Sequence, residues 1–192
     1  SSADQSADVT PDTTAANSAS AATGDFDNSE YINVVSREDG SGTRGAFIEL
    51  FGVEEKDESG EKVDNTTEEA IITNSTDVML TSVAGDTYAI GYVSLGSLND
   101  TVKAVKIDGA EATVENIKSG TYKIARPFNI ATKGEVSEAA QDFINYIMSG
   151  DGQKVISDNG YIGDDSAAAF ESNGAEGKVV VGGSSSVSPV ME

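Results

Sequence analysis

The stretch VVSREDGSGTRGAFIEL, Val34 to Leu50, constrains this chain more than any other. The β-branched run YINVV, from Tyr31 to Val35, leads into a turn of glycine and small hydroxyl residues, after which Ala46, Phe47, Leu50 and Phe51 recur at helical spacing. The order predicts a buried strand feeding straight into a helix N-terminus. Such a junction presents unpaired backbone NH groups and about half a positive charge, which suits it to an anion. Glycine lets a ligand approach the backbone closely, and Ser and Thr add neutral donors. Arg37 can offer a planar fork to two anion oxygens, with Asp39 orienting the guanidinium. A plainer reading stands beside this one: Ser41 and Thr43 cap the helix, and Arg37 makes a surface ion pair. The spacing matches neither the P-loop, which needs Lys before its final Ser/Thr, nor the dinucleotide fingerprint.

Composition sharpens the meaning of that arginine. The 192 residues carry 33 acidic against 12 basic side chains, a formal net charge of −21. Binding to DNA, RNA or anionic membrane depends on clustered Lys and Arg, so none of these is expected as a partner. An anion bound here is held by local geometry. Cysteine and histidine are both absent, which removes disulfides, thiolate or imidazole metal sites and the Ser/His/Asp and Cys/His nucleophiles. No enzyme activity, cofactor or metal is expected. No window approaches the roughly 18 apolar residues of a transmembrane helix.

Along the chain, residues 1–28 are almost wholly Ser, Ala, Thr and Asp; they bury too little apolar surface to offset their ordering entropy and read as a flexible tether. GVEEKDESGEKVD is a charged hairpin or loop around Ser59-Gly60, without the EF-hand spacing of a calcium loop. NSTDVMLTSVAGD predicts a helix capped by Ser75 or Thr76 and stopped by Gly85. TYAIGYVSL and VKAVKI read as strands, with Gly91 a point of close backbone approach. TVENIKSG predicts a short helix closed by Gly120, and YKIARPFNIATKG an extended run broken by Pro127, an edge strand or a crossover between two bodies. SEAAQDFINYIMSGDGQKVISDNGYI is the strongest amphipathic signal, with Ala140, Phe143, Ile144 and Ile147 on one face, a break at Gly150 and a second helix after it. Lastly, KVVVGGSSSVSPVME predicts a strand entering a second Gly-Ser-rich turn, with Ser184, Ser185 and Ser186 in it and a helix starting near Pro189.

INVVSREDGSGTRGAF resembles the anion-loop signature of the phosphate-binding proteins of ABC-type phosphate importers, and VVVGGSSSVSPVME resembles the opening strand and Ser-rich loop of the same family. IGYVSLGSL, ARPFNIATKG and FINYIMSGDGQKVISDNGYI are similar to it as well, in its usual order. The resemblance implies an α/β, type II periplasmic-binding-protein-like fold of two lobes, incomplete in this chain. It also implies that Arg37, Ser41, Gly42 and Thr43 contact phosphate from one lobe, supported by Asp39, and that Ser185 and Ser186 contact it from the other. The Ser-rich strand follows the rest where the family places it first, which is the order of a circular permutation. The family's remaining contacts, a Ser and a proton-accepting Asp, belong to a segment expected after Glu192. Gly163 stands where the family leads one to expect proline.

The expected organisation is a disordered tether over 1–29, an α/β lobe with the anion loop over 30–125, a returning segment of the other lobe over 126–165, a linker over 166–177, and the first strand and Ser-rich loop of that lobe over 178–192. The implied function is extracytoplasmic capture of inorganic phosphate for delivery to a membrane permease of an ABC importer. The protein would sit at the cell surface as a lipoprotein whose anchor cysteine is not in this sequence. Sulfate is the alternative ligand, and a non-transport surface interaction module is the alternative use of the fold.

Overall fold

A computed structural model describes residues 26–191. Among the described residues, 26–30 fall in a separate unit from 31–191, and the expected tether lies mostly outside the described residues.

At the centre of the second unit is a short parallel sheet in the order β4-β1-β5, formed by Asn33–Arg37, Ile71–Thr73 and Ala89–Ile90 as β1, β4 and β5. Burial deepens along β1 until Val35, Ser36 and Arg37 are all enclosed. Parallel neighbours require crossover connections. Strand β1 reaches β4 through helix α1 (Gly42–Leu50) and the antiparallel hairpin β2 (Glu54–Lys56) and β3 (Lys62–Asp64), and β4 reaches β5, on the far side of β1, through α2 (Thr76–Ala84). The hairpin turns at Gly60, at φ 85°, as the charged segment predicts. Ser75 caps α2 by accepting from the Val78 amide, and Met79 and Leu80 carry its buried face. A Cβ on Gly91 would stand 2.6 Å from Met79 Sδ and 2.9 Å from Val83 Cγ2, so this glycine marks the close approach expected of it.

Helix α3 (Val114–Lys118) is followed by Gly120 at φ 75°, the left-handed stop that glycine accepts without strain. Helices α4 (Glu138–Met148) and α5 (Gly150–Asp158) pack on each other. The break between them falls at Ser149, one residue ahead of the expected Gly150. The Ser149 hydroxyl donates to Tyr146 O at 2.7 Å and accepts from the Gly152 amide at 3.3 Å. One side chain therefore closes one helix and opens the next. A 3₁₀ turn over Leu95–Ser97 lies after β5; another over Ser185–Val187 runs into α6, Ser188–Met191.

Two expected strands are not formed. VKAVKI carries only an isolated bridge between Ile107 and Ala110. KVVV has no regular structure, and Val180 is 83% exposed; the extended run YKIARPFNIATKG likewise joins no ladder, so it is not an edge strand. Their residues favour extended backbone, but a strand exists only where a neighbouring ladder takes up its NH and C=O groups. Strand β4 went unanticipated because three residues carry no readable period. On α1 the buried positions are Thr43 and Ile48, whereas Leu50 and Phe51 are exposed.

Candidate functional site

Strand β1 ends at Arg37, and within five residues α1 begins, so the helix N-terminus stands at the carboxyl end of the sheet's central strand. Open parallel sheets bind ligands in this position. Gly40, at φ 82°, makes the turn. Ser41 is the N-cap: its hydroxyl accepts from the Arg44 amide, and its carbonyl accepts the helix's first backbone bond, from Gly45. The amides of Gly42 and Thr43 lie ahead of that first bond, among those a helix leaves pointing out of its N-terminal end.

Across from this end lies the Ser-rich loop. Thr43 and Ser186 are both buried and share a short hydrogen bond between their hydroxyls. Arg37 Nη2 donates to Ser185 Oγ at 3.2 Å, and a Cβ on Gly42 would lie 3.3 Å from Ser184 Oγ. Tyr161 fixes the loop from the far side by donating its hydroxyl to Ser186 O at 2.6 Å. Its ring is buried against Gly96, where a Cβ would come within 2.3 Å. The structure thus brings together Arg37, Gly42, Thr43, Ser185 and Ser186 from opposite ends of the sequence, with Ser41 capping the helix on which two of them sit.

Asp39 does not orient Arg37. Its side chain is 98% exposed and pairs with Arg44 at 2.9 Å, whereas the Arg37 side chain is only 3% exposed and takes Glu38 as its partner. Glu38 accepts from Arg37 Nε at 2.8 Å and from Nη2 at 3.0 Å. These bonds hold the Glu38 carboxyl below its usual pKa, against the smaller opposing effect of its own partial burial. Arg44 braces the loop from outside, donating to the Arg37 carbonyl at 2.9 Å and reaching Asp64 on the hairpin at 2.8 Å. Burial pushes the Asp64 carboxyl up, but bonds from Thr66 and Arg44 outweigh it and leave the pKa lowered.

Tyr92 escaped the sequence reading. Its hydroxyl lies 2.8 Å from Ser36 Oγ and accepts from the Arg37 amide at 3.0 Å, and its ring stacks on Phe47 of α1 with centroids 4.2 Å apart. It locks the strand end to the helix. Nothing local in TYAIGYVSL distinguishes it from any strand tyrosine. Among the described residues no group of three or more His, Cys, Asp or Glu is placed to hold a metal ion, and no helix is long and apolar enough to cross a membrane.

A parallel sheet whose central strand delivers a buried arginine to a helix N-terminus, faced by a hydroxyl-lined loop, is an α/β arrangement suited to holding an anion. The chain belongs to the PBP superfamily: residues 12–151 match the model of the PBP superfamily domain. It is 64% identical over 162 residues to the phosphate-binding protein PstS 2 of Streptococcus agalactiae, covering 84% of this chain and 55% of that protein. The crystal structure of a phosphate-binding protein of a phosphate ABC transporter from Streptococcus pneumoniae matches with TM-score 0.70 and 46% identity, over 84% of this chain and 63% of that one. A putative phosphate ABC transporter substrate-binding protein with bound phosphate, from Clostridium perfringens, matches with TM-score 0.60 and 40% identity, over 69% of this chain and 52% of its own. The chain spans about half the length of the curated relatives it matches. Arg37, Asp39, Ser41, Gly42 and Thr43 fall inside the family match, whereas Ser185 and Ser186 fall outside it.

Proposed function

We propose that this chain binds inorganic phosphate, as the ligand-holding part of a protein that delivers it outside the cytoplasm to the membrane permease of an ABC importer. The observation that carries the reading is the convergence of the Arg37 guanidinium, the Thr43, Ser185 and Ser186 hydroxyls and the α1 N-terminus on one spot. All of these are hydrogen-bond donors suited to a tetrahedral oxyanion, and one is a buried cation. The phosphate-binding relatives support phosphate over sulfate. Lipid anchoring at the cell surface belongs to the same proposal, as does the reading of 178–192 as a permuted first segment of a second lobe. Chemistry on the ligand forms no part of it.

With one guanidinium, three hydroxyls and a few amides as donors, the expected affinity of the isolated chain is about millimolar. The test is a phosphate titration of the ¹⁵N-labelled chain followed by NMR. Saturable shifts of the Gly42, Thr43 and Ser186 amides, lost in Arg37→Ala and weaker with sulfate, are expected. Unmoved amides at phosphate concentrations well above that range would overturn the reading.

A further inference from the structure

The Arg37 guanidinium is already engaged by a carboxylate of the same chain. Glu38 meets the Nε and Nη2 edge with both oxygens, 2.8 and 3.0 Å away, in the forked geometry by which arginine grips a carboxylate or a phosphate. The contact is held by the backbone on both sides of the residue. The Glu38 amide donates to Thr73 O at 3.0 Å, extending the ladder one bond past β1, and the Glu38 carbonyl accepts from the Ser41 amide at 3.2 Å. This presents the carboxylate to the neighbouring guanidinium from a fixed position. It is also partly open to solvent, with its side chain 38% exposed, whereas Arg37 is enclosed. The anionic partner can therefore swing away while the cation stays.

We infer that Glu38 is a built-in competitor for the anion site, a carboxylate that occupies the edge of Arg37 an oxyanion needs and so sets the affinity. This rests on the phosphate reading above. An arriving tetrahedral anion replaces Glu38 on Nε and Nη2 while Ser185, which shares Nη2, stays in reach of the ligand. The displaced carboxylate moves into water at little cost, because it is already partly hydrated. Close by, it also repels the incoming charge. Both effects lower affinity, and both act on any oxyanion alike.

The experiment measures phosphate and sulfate dissociation constants by NMR titration for the unsubstituted chain, Glu38→Gln and Glu38→Ala, with thermal unfolding to establish that the variants fold. Both substitutions are expected to tighten both anions by about three- to tenfold, a range set by a partly exposed charged pair. Unchanged or weaker binding in both variants, with the unsubstituted chain still binding phosphate, overturns the competitor and leaves the phosphate reading standing. Weaker phosphate binding with unchanged sulfate binding would instead make Glu38 an acceptor of the phosphate proton, and also overturns it. Absence of binding in all three chains overturns the phosphate reading and this inference together.

Discussion

The Tyr92 hydroxyl accepts a hydrogen bond from the Arg37 backbone amide at 3.0 Å and lies 2.8 Å from the Ser36 hydroxyl. A tyrosine beyond β5 thus holds the end of β1 at the residue that carries the site's cation. Tyr92→Phe keeps the stack on Phe47 but leaves the Ser36 hydroxyl and the Arg37 amide without that partner in an enclosed place. Unfolding in urea should show a loss of about 1–3 kcal/mol, and phosphate should bind more weakly than to the unsubstituted chain but better than to Arg37→Ala.

The buried hydroxyl pair of Thr43 and Ser186 predicts strong coupling. Thr43→Val or Ser186→Ala alone strands the other hydroxyl, at about 1–3 kcal/mol each. The double variant should lose less than the sum, with a coupling of about 0.5–3 kcal/mol in a double-mutant cycle. Additive losses would mean that the two loops do not touch in solution.

Gly96→Ala should be destabilising out of proportion to its one methyl group. The new Cβ would stand 2.3 Å from the Tyr161 ring, and moving that buried ring also pulls its hydroxyl from Ser186 O. Overpacking of this kind costs about 1–3 kcal/mol. The variant's thermal midpoint should fall, with faster amide exchange at Ser186.

Acid should loosen the brace between the hairpin and the anion loop. Asp64 has a lowered pKa in the folded chain, so it binds fewer protons folded than unfolded near its titration. Its contribution is complete above the ordinary aspartate range and is lost as pH falls through the lowered value. Thermal midpoints followed downward from about pH 6 should decline below about pH 4. Asp64→Asn should start lower at neutral pH and decline less steeply.

Phosphate affinity should depend only weakly on sodium chloride. Most donors at the site are neutral, its cation is enclosed, and the net charge of −21 is a repulsive background that salt screens. A titration repeated from low to moderate salt should show constant or rising affinity, and a steep fall would contradict this origin.

What was legible in the sequence was local. Ser41 and Ser75 cap the helices assigned to them, and Gly91 and Gly120 fill their expected roles, because each signal lies within a few residues of its effect. The anion loop could be read for the same reason. Asp39 was the natural choice of support for Arg37 by spacing, but which of two adjacent carboxylates meets a guanidinium depends on side-chain direction at a strand end. There Glu38 is tied to β4 and Asp39 turns out to solvent. Tyr92 and Tyr161 act through partners 55 and 25 residues away, and no periodicity encodes that. The strands expected around Val105 and Val180 show the converse, a local preference with no ladder to fulfil it.

The distance along the chain between Thr43 and Ser186, 143 residues, orders the events of folding. Strand β1, the turn and the cap of α1 lie close together in sequence and can settle early, since short loops close at small entropic cost. The hydroxyl wall opposite them must wait for the long intervening chain. During synthesis the ribosome releases the arginine side of the site well before the serine side. Within that early segment lies Glu38, next to Arg37 in sequence, the partner that the folded chain gives the guanidinium.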